Sequence, residues 1–467
     1  MPRFTSAAVK IFFSFVALYF SVYEVMARAG GGGGGHSSGG GHSYSSHSYG
    51  GGSYGHSYGG GGSGGGPISF SSIIIIIIIL VVISALRKKS TGVGDGDTGV
   101  PNIAPQPYPD GLNGQKVTAA FYSIQEAWQR KDLVHVRKWI SDGVYQRYTA
   151  QFAMMNKLGQ VNKLSNIRIN DIRVAKTGGD GDYQTADVAV SFTMDDEFVS
   201  EKYPQFNERF IGDSDTEYWT FIKKKNGVAG KNLYNNDNCP NCGAPLDIKM
   251  GEISRCSSCG TLTNNAEYDW VLSEITQTDD YTGDNRMEQD EKLHEIMKDD
   301  KLFSVQRMED VASNVFMQVM EVLGGEKGQK LERFADKDTI ATVLAEKKKL
   351  GDFVFDRLYL RDVTLMDFIT ANDCLNLVFD LTATYQRVRT GEKLQWIDTQ
   401  QTDAHFKLVL AKKLSALKTP AKETVYSYEC SSCGAPYTDT THDTCEYCGA
   451  TVVDLNSNWV LTQFRFL

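Results

Sequence analysis

The sequence predicts an α+β protein in which one unit occurs twice, each copy running from helices into an antiparallel sheet. Three observations carry this. Val117, Phe121, Ile124 and Trp128 fall on one face of a helix, and Val315, Phe316, Val319 and Leu323 do so again later. Each helical stretch is followed by segments of alternating hydrophobicity, the mark of half-buried strands. Each copy also carries four cysteines near its end: Cys239, Cys242, Cys256 and Cys259 in the first, Cys430, Cys433, Cys445 and Cys448 in the second.

Before the first copy come segments of other kinds. Arg3 and Lys10 precede an apolar run that ends at small residues, Ala27 and Ala29, which reads as a signal peptide over 1–29. An uncleaved anchor is the alternative. Residues 30–66 hold only Gly, Ser, His and Tyr and cannot bury enough apolar surface to fold. They form a spacer, or a weak copper or nickel site on His36, His42, His47 and His56. Residues 67–86, with a run of isoleucines and no charge, suit an N-terminal transmembrane helix. Arg87, Lys88 and Lys89 follow, which keeps the remaining chain on the cytoplasmic side. Residues 87–114 are a Gly/Pro-rich linker. Its G-x-G-x-x-G at Gly94, Gly96 and Gly99 follows no strand and meets Pro101 where a helix would begin, so it is not a nucleotide loop.

The first copy is expected over 115–278, a linker over 279–289 and the second copy over 290–467. In the first, 121–140 and 143–159 read as helices, and 164–178, 183–195, 216–227 and 269–277 as strands. Phe121 matches Phe316 and Glu126 matches Glu321 at an offset of 195, Cys239 matches Cys430 at 191 and Trp270 matches Trp459 at 189. Collinear matches with slowly drifting offsets indicate duplication. Each cysteine group falls between the last two strands of its copy, as an insertion at a hairpin tip.

Eight of the nine cysteines form Cys-x-x-Cys pairs, with thirteen residues between Cys242 and Cys256 and eleven between Cys433 and Cys445. Two such knuckles supply a tetrahedron of thiolates, the structural zinc-ribbon pattern, and leave no open position for catalysis. The expectation is two structural zinc ions per chain, in ribbons over 239–259 and 430–448, with iron as the competitor. Gly243, Gly260, Gly434 and Gly449 each follow a second cysteine, where the backbone must turn. The formal charge of −9, and the lack of Lys or Arg between Cys430 and Cys448, argue against a nucleic-acid partner.

Other residues receive plainer readings. Cys374 is core packing and His405 a strand residue. The run from Arg130 to Lys138, including His135, is a solvated helical face or a contact for anionic lipid, and Lys223–Lys225 and Lys347–Lys349 are read alike. Trp219 and Trp270 are neighbours across a hairpin base. No nucleophile–base pair is visible.

The stretches IQEAWQRKDLVHVRKWIS, LSNIRINDIRV and EYWTFIKK resemble the Tim forty-four-like family, the C-terminal domain of the mitochondrial inner-membrane import-motor tether and its bacterial relatives. The likeness covers Lys116 to Phe221 and is weaker in the second copy, where DAHFKLVLAKK lacks a counterpart of Trp219. It implies two cone-like domains of the nuclear-transport-factor type, each a curved antiparallel sheet closed by helices. It also implies membrane association and protein binding rather than catalysis. The inserted cysteines depart from the family.

The sequence therefore points to a single-pass protein of a bacterial inner membrane. It would present two ribbon-bearing cones to the cytoplasm and bind a protein segment or lipid. An enzyme using the cone pocket for acid–base chemistry is one alternative, and an envelope metal-handling protein is another.

Overall fold

The structure is a computed structural model that describes residues 105–467, apart from 247–252, 284, 419–429, 431, 434–443, 446, 451–452, 454 and 457. The expected signal peptide, His-rich segment and membrane span lie outside the described residues. Among the described residues no helix is long and apolar enough to cross a membrane.

The chain is mixed α+β with two antiparallel sheets. Helices α1 (Gly114–Arg130) and α2 (Asp142–Leu158) lead into β1 (Gln160–Asp180), β2 (Tyr183–Ser200), β3 (Glu208–Lys224) and β4 (Val271–Gln277). These strands lie in sequence order, β1-β2-β3-β4. A short helix α3 (Glu291–Met297) precedes α4 (Val305–Leu323) and α5 (Lys337–Leu350). The second sheet follows: β5 (Val354–Ala371), β6 (Cys374–Arg389), the two-residue β7 (Gln395–Trp396), β8 (Thr402–Lys413) and β9 (Val460–Phe466). Its order is β5-β6-β8-β9, with β7 paired to β6. Apart from the short α3 and β7, two helices followed by four strands recur in one order.

Local chemistry explains the element ends. Asn113 and Ser141 cap α1 and α2 by accepting from the amides of Lys116 and Val144. Gly159 ends α2 at φ 62. The β5–β6 hairpin turns on Asn372 and Asp373, both at positive φ (53 and 60), as a tight two-residue turn demands.

The predicted helical faces are the core faces. Phe121 lies 5.0 Å from Phe192 and 5.7 Å from Trp219, ring centre to ring centre. Its counterpart Phe316 lies 4.9 Å from Phe406 and 6.1 Å from Phe464. In both copies, therefore, a long amphipathic helix, α1 in the first and α4 in the second, drives a phenylalanine onto the inner face of its sheet. Burying one such side chain is worth roughly 1.5–3 kcal/mol.

The expected helix over 121–140 is shorter. It stops at Arg130, because Lys131 turns left-handed at φ 52 and its amide closes on Ala127 and Trp128. Tertiary pairing overrides helical periodicity beyond it. The Trp139 carbonyl accepts from Leu272 and the Ser141 amide donates to the Leu272 carbonyl, so this stretch runs beside β4. Leu133, Val136, Trp139 and Ile140 still reach the core, but from turns.

The two halves are joined by α2 packed against α4 and β5. Gln146 Nε2 donates to Glu321 (2.8 Å), Gln151 Nε2 to the Leu358 carbonyl (3.0 Å) and Gln160 Nε2 to Asp356 (2.7 Å). Ala150, Met154 and Leu158 of α2 belong to the hydrophobic core of the second half. At the start of α2, Asp310 accepts from the Ser141 hydroxyl (2.5 Å) and the Gly143 amide (3.0 Å).

Two predictions follow from this seam. A Cβ on Gly143 would collide with the Asp310 carboxylate, and would lie 2.6 Å from both the Asp310 carbonyl and Ser313 Oγ. Gly143→Ala should therefore cost about 1–3 kcal/mol in denaturant unfolding, the scale of overpacking; an unchanged midpoint would show that the halves do not meet here. The second concerns pH. Burial, opposed by the Ser141 hydroxyl, raises the Asp310 carboxyl to about 7. A raised carboxyl binds more protons folded than unfolded, so stability falls as pH rises from about 4 to about 7 and levels off above. Asp310→Asn keeps an acceptor for both donors and should flatten that slope in thermal melts between pH 5 and 8. A slope unchanged by the substitution would remove Asp310 from the account.

Candidate metal centres and the acidic seam

Each cysteine group lies between the last two strands of its half, between β3 and β4 and between β8 and β9. The turns that shape them repeat. Cys239 N donates to the Ala244 carbonyl (2.7 Å), Cys256 N to Thr261 (2.8 Å) and Cys445 N to Ala450 (2.8 Å). Gly243, Gly260 and Gly449 take φ of 77, 76 and 70. A Cβ at any of the three would meet nothing within 4 Å, so it is the left-handed backbone that demands glycine there, not space.

These turns bring four sulfurs together twice, all within 4.8 Å of one another in each group. Cys239–Cys259 and Cys242–Cys256 are 3.6 and 3.9 Å apart, and Cys430–Cys448 and Cys433–Cys445 are 3.5 and 3.8 Å apart. A disulfide would need about 2.05 Å. A tetrahedron with metal–sulfur bonds near 2.3 Å has edges of about 3.8 Å, so both donor sets fit a zinc-sized ion. In each group the first cysteine of a knuckle is buried and the second exposed. Thr261, through its hydroxyl and then its amide, brings the Cys259 thiol down to about 6, while burial pushes Cys239 up to about 12.

The first ribbon is no free tip. Lys138 Nζ donates to the Asn236 carbonyl (3.0 Å) and pairs with the Asp237 carboxylate. Ser254 Oγ donates to the Arg137 carbonyl (3.2 Å), and Asn264 Nδ2 to the Ile140 carbonyl (3.1 Å) and Asp142 (2.9 Å). Tyr234 stacks on Trp139 at 4.7 Å and donates to the Trp270 carbonyl. Lys116 and Asp269, both buried, pair at 2.6 Å beneath it. Arg137 and Lys138 are thus buried anchors rather than a lipid-facing surface. A basic run reads as solvated; the apolar residues interleaved with it were the signal to the contrary.

His405 is in β8, with Nδ1 3.2 Å from Thr382 Oγ1, and His135 is exposed, on a turn instead of a helix. Cys374 opens β6 at the hairpin turn and is only half-buried, so it is not core. Trp219 pairs with Ile275 across the sheet, whereas Trp270 precedes β4 and donates to the Asp110 carbonyl; they are not cross-strand neighbours. Lys224 pairs with Glu267, and Lys225 and Lys347 donate to the carbonyls of Gly181 and Glu326.

A second feature had no local sequence signal, because seven separate segments build it. A cleft with about 80 Å³ of free volume between the halves is lined by Asp187, Glu274, Asp280, Glu288, Glu309 and Asp362. Lys176 pairs with Glu288 (2.9 Å) and Arg361 with Asp280 (2.7 Å). Tyr281 lies flat on Tyr218 at 3.7 Å and donates to Asp187 (2.8 Å). The segment read as a linker over 279–289 is therefore anchored in this cleft. Burial raises Asp187, Asp280, Glu288 and Glu309, and burial with the Glu274 charge raises Asp362 to about 6.

Comparison with known proteins adds one finding. No curated protein and no solved structure matches the chain. Residues 114–227, from the start of α1 to just beyond β3, match the Tim44-like domain family. The first half of this protein carries a Tim44-like domain.

Proposed function

We propose that this chain is a membrane-tethered binding protein whose two α+β halves each carry a structural zinc ion in a ribbon. The observation that carries the binding role is the Tim44-like domain over 114–227, a domain associated with protein or membrane binding. The two sulfur tetrahedra support the metal. In this reading residues 67–86 cross a bacterial inner membrane, the halves face the cytoplasm, and the tether holds them at high effective concentration near membrane-bound partners. Turnover is no part of it, and neither is nucleic acid.

The surface offered to a partner narrows with the fold. Helix α2 is spent on the seam, with no exposed residue before Asn156. Helix α1 keeps an outward stripe of Tyr122, Glu126 and Arg130, spaced four residues apart, with Glu126 and Arg130 paired at 2.8 Å. We assign the partner contact to this stripe.

A specific observation favours the acid–base alternative: the cleft holds protonatable carboxylic acids and the Tyr281–Asp187 pair side by side. One experiment separates the two. A photo-reactive residue at Tyr122, in native membranes, should trap a protein or lipid, and the same residue at buried Met317 should not. Deleting 30–66 should leave the capture intact. Capture at neither position, together with a substrate turnover lost in Tyr281→Phe, would overturn the binding reading in favour of the enzyme.

A further inference from the structure

We propose that the two ribbons hold metal unequally: Asn241 and Thr261 make the first the tighter site and leave the second exchangeable. The proposal rests on the metal-binding reading above and adds a division of labour between the sites.

The two ribbons share a backbone frame but not the side chains around one sulfur. In the first, Asn241 Nδ2 lies 3.7 Å from Cys259 Sγ and 2.9 Å from Thr261 Oγ1, and Thr261 Oγ1 lies 3.4 Å from the same sulfur. A metal-bound thiolate accepts from both the amide and the hydroxyl. By position, Cys259-Gly260-Thr261 corresponds to Cys448-Gly449-Ala450, and Asn241 to Ser432. Alanine has no hydroxyl, and serine is shorter than asparagine by the reach needed to bridge two knuckles. The backbone cannot compensate, because the turns are alike: Gly449 and Gly260 have φ of 70 and 76, and the Cys445 and Cys256 amides each donate at 2.8 Å.

Charge acts in the same direction. Four thiolates on a divalent ion carry a net charge of about −2, which a less acidic stretch of chain favours. Between Cys239 and Cys259, Lys249 and Arg255 offset Asp247 and Glu252. Between Cys430 and Cys448 stand Asp439, Asp443 and Glu446 with no Lys or Arg. Removing outer partners of a metal ligand commonly costs 10- to 100-fold in affinity; Cys259 is exposed, so its donors compete with water and the lower end, about 10-fold, applies. Falling zinc would then empty the β8–β9 ribbon first, while the ribbon anchored on Arg137 and Lys138 stays loaded.

The test uses the full chain in detergent, loaded with zinc and titrated with a chelator, with free thiols alkylated at each step and located by mass spectrometry. Cys430, Cys433, Cys445 and Cys448 should become reactive at about 10-fold lower chelator than the first group. The double change Asn241→Ser with Thr261→Ala should bring the first group down towards the second, and Ser432→Asn with Ala450→Thr should raise the second. Simultaneous release, release of the first group first, or exchanges that move neither midpoint would overturn the proposal. All eight thiols reactive in excess zinc would instead overturn the metal-binding reading beneath it.

Discussion

The arrangement depends on one buried charge. Arg137 has no solvent exposure, and its guanidinium donates to Asp142 (2.5 Å) and to the Ile140 carbonyl (3.0 Å) while lying 4.5 Å above the Tyr145 ring. Asp142 opens α2, where an acid also meets the positive end of the helix. The same aspartate accepts from Asn264 of the first ribbon, and its carbonyl accepts from Asn314 of α4. Ribbon, helix start and second half therefore meet at one ion pair. A pair buried this deeply contributes little net stability, but removing one partner costs about 3–5 kcal/mol because the other charge is stranded.

The same logic governs the seam. Each copy closes its own sheet with one long helix, α1 or α4, as Phe121 and Phe316 show. The second helices have diverged. In the first half α2 lies against the other half, where Gln146 donates to Glu321 and Gln151 to the Leu358 carbonyl. In the second half α5 packs beside β9 and α4 and keeps an exposed face that includes Leu344. Joining the copies through polar side chains leaves a cleft where carboxylates from both halves stay protonated at higher pH than usual. Such a junction is sensitive to protons as well as to packing.

The repeat, the strands and the sulfur clusters were legible in the sequence because each is a local pattern: alternation, helical spacing, Cys-x-x-Cys with a following glycine. The Tim44-like likeness was legible over 116–221, within the 114–227 that match the family. What escaped was non-local. Helix α1 stops at Arg130, where Lys131 turns left-handed, and residues 139–141 pair instead with Leu272, far away in sequence. Arg137 and Lys138 looked solvated because Asn236, Asp237 and Ser254, which they meet in and just before the ribbon, lie about a hundred residues away in sequence. The cleft could not be anticipated, since no single segment contributes more than a few of its walls.

Hydrogen–deuterium exchange of the full chain, native against Arg137→Ala, tests the central claim most directly. If the ion pair ties ribbon, helix and second half together, protection should fall together in 253–267, at the start of α2 and along α4. Faster exchange confined to 131–141, with the ribbon and α4 as protected as before, would contradict the account.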